Sequence, residues 1–282
     1  MSPSGPARSL FALWLLLISA GLARAQSNDR AIAGSADSTA GAAAIPDTAA
    51  ADRPGRNPAI VVGERLVFSV RYGKIPAGEA TLSIVDRTTV DGHDCFHVVS
   101  TASSSAVFDK VYPVRDRYES YMDVDSLWSR HFEKHLREGR YKADQVVRLD
   151  QEAGIARYHD GREFPIPRGT YDVLSAFYIV RTMSLEDGAE FLLDSHADRK
   201  NYPIKVSVEK RERVETPAGT FDCIVVEPTL RSGAFFKHEG RLTIWLTDDE
   251  RRIPVQMKSK IPVGSISVVL TELIRPEPEA AK

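Results

Sequence analysis

PIPRGTYDVLSAFYIVR, Pro165 to Arg181, is the stretch from which the fold can be read. It is the only apolar run beyond the N-terminal leader with a helical rather than a strand period. Asp172 has the side chain of an N-cap, and Val173, Leu174, Phe177, Tyr178 and Arg181 follow at spacings of three and four. Ala176, Ile179 and Val180 fill much of the remaining circumference, so the helix has almost no polar face and must be enclosed. The segments on both sides alternate with period two. The sequence therefore predicts a mainly β fold: a strongly curved antiparallel sheet or incomplete β-barrel, with one short central helix at about 171–182 in its concavity.

On the N-terminal side, Leu66, Phe68, Val70 and Tyr72 alternate with Arg65, Val67, Ser69 and Arg71. GKIPAG at 73–78 reads as a turn, 79–85 as a strand, and Asp91-Gly92 as a hairpin signal leading into a strand at 95–101. Residues 111–125 read as one long strand, with Arg115, Arg117, Glu119 and Tyr121 on one face and Asp116, Tyr118, Ser120 and Met122 on the other. Short strands follow at 130–135, 142–149 and 154–159. Beyond the helix, strands are expected at 190–193, 203–214, 220–228, 240–247, 255–261 and 265–273. VDGHDCFHVVS (90–100) and TPAGTFDCIVVE (216–227) match as turn, Asp-Cys, then apolar strand. This suggests two similar halves, about 60–160 and 190–274, within a single β-rich domain at 60–274.

The chain begins with Arg8, an apolar run from Leu10 to Leu22 and the small-residue site Ala23-Arg24-Ala25, the parts of a secretory signal peptide at 1–25. The mature protein is expected to be periplasmic or otherwise exported, with no transmembrane segment after cleavage. Residues 26–59, rich in Ala, Ser, Asp, Gly and Pro, bury too little to offset their ordering entropy and read as a disordered tether. The tail 275–282 reads likewise. Net charge is −2, becoming −4 once Arg8 and Arg24 are removed, with no basic block, which argues against a nucleic-acid partner.

No nucleophile elbow, phosphate loop, dinucleotide fingerprint or C-x-x-C pair is present, so neither enzymatic activity nor a cofactor is expected. Asp123, Asp125, Asp248 and Asp249 fall at turns, where aspartate serves its own backbone. His131 and His135 are four apart, but on a strand that is roughly 13 Å, too far to share an ion. No metal site is expected, and solvated histidines are the favoured reading. Cys95 and Cys223 would close a long loop if paired in an oxidising compartment. Their matching places in two halves, and the apolar strands that hold them, equally suit two small buried hydrophobes.

The ligand-binding candidates are Arg115, Arg117, Glu119, Asp172, Phe177, Tyr178, Arg181 and Trp245. Either these residues line a cavity and grip a ligand, or the charged ones are ion pairs that lock helix to sheet, each buried charge needing a partner. Phe177 and the other aromatic residues read mostly as core.

The blocks VRDRYESYMD (114–123), YDVLSAFYIVRTMSLEDG (171–188), ETPAGTFDCIVVEP (215–228) and WLTDDERRIPVQMKSKIPVGSISVVLTEL (245–273) resemble, in order, the bacterial envelope family known as domain of unknown function 3108. The ending W-x-x-D-D-E-x-x-I-P is more loosely similar to the lipoprotein carrier and lipoprotein-sorting proteins, open half-barrels closed by helices over an apolar cavity. These resemblances imply an exported β-rich protein and bring over no catalytic residue. Two roles follow as expectations: a carrier whose concavity takes a lipid or other apolar ligand, or a structural module that binds an envelope protein or glycan and has no cavity. A hydrolase of unknown class is the third.

Overall fold

The computed structural model describes residues 57–230, 242–260 and 264–276. The signal peptide expected at 1–25 and most of the expected tether lie outside these residues, as does most of the expected tail. In chain order the elements are β1 (Arg65–Tyr72), β2 (Ile75–Val90), β3 (His93–Ser104), α1 (Ala106–Asp109), β4 (Arg115–Asp123), β5 (Ser129–Glu138), β6 (Tyr141–Asp150), β7 (Ile155–Tyr158) and β8 (Glu163–Pro165). The helix α2 (Val173–Arg181) follows, then β9 (Glu190–Ala197), β10 (Lys200–Thr216), β11 (Gly219–Leu230), β12 (Leu242–Thr247), β13 (Pro254–Lys260) and β14 (Ser265–Ile274).

All fourteen strands form one antiparallel sheet in the order β8-β7-β6-β5-β4-β3-β2-β1-β14-β13-β12-β11-β10-β9. The chain meanders outward from β1 to one edge at β8, crosses by way of α2 to the opposite edge at β9, and meanders back until β14 pairs with β1. The backbone ladder does not close. The expected curved, incomplete barrel with one enclosed helix is the architecture found. Its free edges are short or spanned: β8 has three residues, Tyr171 forms a parallel bridge to Ser195 of β9, and Asn201 Nδ2 donates to the Pro165 carbonyl at 2.9 Å.

Curvature comes from bulges, which bend a strand and sharpen its twist. The register shifts between Ile84 and Asp86 in the β2/β3 hairpin and between Val208 and Lys210 in β10/β11. These positions correspond when Cys95 is laid on Cys223. Each thiol faces the carbonyl two residues before it, Cys95 that of His93 at 3.5 Å and Cys223 that of Phe221 at 3.6 Å. After each hairpin the same tie recurs, Val124 N to Asp94 O at 2.9 Å and Asp248 N to Asp222 O at 2.8 Å. Cys95 and Cys223 are free and buried, so no disulfide joins the halves.

Several local readings need correction. Asp91 and Gly92 both take positive φ (49° and 84°), as a tight hairpin turn requires, and this turn was legible. The turn expected over 73–78 is confined to Gly73 and Lys74, because β2 starts at Ile75. The long strand expected from Val111 starts only at Arg115; Pro113 cannot donate to a ladder, and α1 precedes it. Ala59 and Ile60 are buried at the front of the fold, and Arg275 and Pro276 pack at its rear. Gly63, at φ 87°, lets this happen: a Cβ there would come within 2.8 Å of the Pro276 ring.

Candidate functional site

α2 crosses the concavity and is held at its start by buried hydrogen bonds to a carboxylate and at its end by a buried ion pair. At its start, Asp172 Oδ1 accepts from the amides of Leu174 (2.7 Å) and Ser175 (3.0 Å), and Ser175 Oγ returns to accept from the Asp172 amide at 2.9 Å. Its second oxygen accepts from Ser120 of β4 and Ser129 of β5, both at 2.5 Å. Burial raises the Asp172 pKa, against the pull of these four donors. The cap thus also bolts the helix to the wall.

At the other end, Arg181 makes a two-pronged ion pair with Glu64 (2.7 and 3.0 Å), with both side chains at zero exposure. Arg275 adds a second pair to Glu64 at 2.8 Å. Arg181 also donates to the carbonyls of Arg251 (3.2 Å) and Arg252 (3.1 Å), and Arg252 sits at φ 48° in the turn that presents them. The guanidinium lies 4.9 Å from the centre of the Tyr178 ring.

Between these anchors, the flank of α2 carrying Val173, Ala176, Phe177 and Val180 faces β9–β12 across a cleft of about 30 Å³. Leu193, Ile204, Val206, Val226, Pro228, Ile244 and Leu246 form the opposite wall, so every lining residue is apolar. Phe177 is only half-buried, which corrects its expected role as a core filler. Truncation to alanine should therefore cost about 1–2 kcal/mol rather than the larger figure of a filled core.

The sheet's pleat separates the remaining candidates. Arg115, Arg117 and Glu119 lie on the outer face of β4, away from α2: Arg115 pairs with Asp109 at 2.6 Å and Arg117 with Glu119 at 2.6 Å. Trp245 also faces outward, alternating with the inward Ile244 and Leu246; its Nε1 donates to Glu212 at 2.6 Å beside an open groove of about 350 Å³. Asp172, Phe177, Tyr178 and Arg181 are brought together inside; the other four are not. Cys95 and Cys223 are poor nucleophiles, since burial pushes both thiols up to about 12.

Sequence reasoning missed Glu64, Arg275, Ser129, the role of Ser120, and Glu138 as the partner of Asp116, which the sequence groups with the charged residues of its own strand. Glu64 lies 117 residues from Arg181, and nothing local marks it as buried. Ser120 was placed on the face opposite Arg115, Arg117 and Glu119 but carried no sign that it would meet Asp172. Asp116 and Glu138 face one another on the inner side of β4 and β5, near Lys134 and Tyr112, and Asp116 accepts from the Arg137 amide at 2.8 Å. Burial raises both carboxyls, Glu138 from 4.5 to about 7. The folded state holds this proton more tightly than the unfolded chain. Its contribution to stability is full below about pH 4.5 and is lost as pH rises to about 7. Glu138→Gln should therefore recover about 1–2 kcal/mol at pH 8, after allowing for water at the site, and change little at pH 4.5, as read by urea unfolding at the two pH values.

Residues 67–271 match the family model described as protein of unknown function, DUF3108. The chain belongs to that family. The DUF3108 chain resembles the crystal structure of a β-barrel-like protein of domain of unknown function DUF1849 from Brucella abortus, at 11% identity and TM-score 0.51, covering 77% of this chain and 99% of the other. Looser likenesses are to a provisionally described lipoprotein from Parabacteroides distasonis (13% identity, TM-score 0.36, 79% and 100% covered) and to a provisionally described exported protein with a YmcC-like fold from Bacteroides fragilis (13%, 0.35, 76% and 96%). No curated protein is significantly similar. Among the described residues, no helix is long and apolar enough to cross a membrane.

Proposed function

We propose that this DUF3108 protein is exported, acts without catalysis in the bacterial envelope, and takes a single acyl chain or similar apolar ligand between α2 and β9–β12. The observation that carries this reading is the wholly apolar lining of that cleft. Its resting volume, about 30 Å³, is too small for a whole acyl chain, so a chain of several methylenes enters as Phe177 swings aside. The ion pair at one end of α2 and the serine-bound cap at the other keep the helix in place while its middle yields. The Ala23-Arg24-Ala25 exit of the leader supports an exported address.

The test is native mass spectrometry after gentle purification, together with saturable binding of a fluorescent fatty acid. Phe177→Ala should raise uptake several-fold, and Ala176→Trp, which fills the cleft, should abolish it. Lipid-free protein with no saturable uptake in either form would sink the proposal.

One observation favours a second reading, a module that binds an envelope protein or glycan. Trp245 borders the outer groove together with Glu212, Glu227 and Lys260. Capture of a partner from envelope extract that is lost in Trp245→Ala and unaffected by Ala176→Trp would select this reading over the first.

A further inference from the structure

The outer face of β3–β6 carries a side-chain arrangement that the apolar cleft does not use. Cross-strand pairing places Glu119 of β4 directly opposite Glu133 of β5. Like charges in this position repel, and here they are surrounded by imidazoles. His97 Nε2 lies 2.7 Å from Glu119 Oε2. His131 Nε2 lies 2.9 Å from Glu133 Oε1, and His135 Nε2 lies 3.1 Å from Glu133 Oε2. His131 and His135 are indeed too far apart along the strand to share an ion directly, but the pleat puts Glu133 on the same face between them. None of the three is a freely solvated histidine: their side chains are 16%, 15% and 31% exposed.

The second layer of contacts orients these rings. Asp144 Oδ1 lies 2.8 Å from His135 Nδ1, and Asp86 Oδ1 lies 3.5 Å from His97 Nδ1. A carboxylate on Nδ1 fixes each ring's orientation and leaves Nε2 aimed at the glutamates. Without a metal Nε2 donates to them, and on binding an ion it gives up that proton while Nδ1 keeps its own, as in histidine ligands with a carboxylate behind them. Tyr121 packs between the outer imidazoles, stacked on His97 at 4.6 Å and edge-on to His131 at 5.3 Å. Arg117 donates to Glu119 Oε1 at 2.6 Å and is the one cation that an incoming ion would have to displace from that oxygen.

We propose that Glu119, Glu133 and His135, whose ligand atoms all lie within 4.8 Å of one another, form a surface site for a divalent transition-metal ion of the zinc class. Mixed imidazole and carboxylate donors suit zinc, whereas magnesium and calcium prefer oxygen alone. His97 and His131 lie outside this cluster and hold the two carboxylates in place, His97 on Glu119 and His131 on Glu133. Asp144 is a positioning residue that acts through His135.

The experiment is calorimetric titration of zinc ion into untagged full-length protein, with magnesium in excess. One zinc per chain is expected, with a rise in melting temperature on loading. Glu133→Gln and His135→Gln should each weaken binding at least tenfold and remove the thermal shift, and Asp144→Asn should weaken it several-fold. His159→Ala, on the exposed β7–β8 turn, should bind as the parent does. Far-UV circular dichroism of the metal-free variants checks their fold; if Glu133→Gln does not fold, the more exposed His135→Gln carries the test. Absence of stoichiometric zinc uptake, equal competition by magnesium, or parent-like binding by folded His135→Gln would overturn the proposal.

Discussion

Replacing Arg181 with methionine is expected to destabilise the folded chain by about 3–5 kcal/mol, seen as a lower urea midpoint with an unchanged slope. The size of the effect follows from what is left behind. Glu64 would keep its buried charge with Arg275 as its remaining cation, and the carbonyls of Arg251 and Arg252 would lose their donor. The same pair joins β1's entry, the end of α2 and the turn before β13, so the loss falls on three elements together. Arg181→Lys keeps the charge but cannot reproduce the two-pronged geometry and should recover less than half of the stability. A loss below about 1 kcal/mol for the methionine variant would show that water or a neighbour replaces the pair and that the anchor is misjudged.

Asp172→Ala is expected to cost about 2–4 kcal/mol. An exposed N-cap is worth about 1 kcal/mol, but this one also satisfies two buried hydroxyls from separate strands. Asp172→Asn separates these contributions: its carbonyl oxygen can still cap Leu174 and Ser175, while its amide replaces the oxygen that accepted from Ser120 and Ser129. About half of the loss should return. If Asp172→Asn and Asp172→Ala unfold at the same urea concentration, the serine contacts dominate and the helix cap contributes little. If apolar-ligand uptake survives in Asp172→Ala at temperatures where it remains folded, the cap is no part of the binding apparatus.

Both anchors show where reading from residues succeeds and where it stops. The capping aspartate and the apolar spacing of α2 are local signals, set within four residues, and the helix formed where they indicated. The alternation of β4 was equally legible: Arg115, Arg117 and Glu119 face out, and Asp116, Tyr118 and Ser120 face in. Grouping the outward residues with Asp172 and Arg181 was the error, because proximity in sequence pattern says nothing about which side of a curved sheet the helix takes. His131 and His135, read as solvated, instead both meet Glu133. Their separation along the strand was read correctly, but the carboxylate between them and the one opposite were not considered.

Period-two alternation, turn chemistry and one greasy helical run are properties of neighbouring residues, and from them the class of fold and its curvature around a helix could be derived. The choice of Glu64 for Arg181, of two serines for Asp172, and of Glu119 as the residue facing Glu133 depends on register between strands far apart in the chain. Register is set by the summed burial of a whole face and by bulges, so these pairings arise only when the sheet assembles.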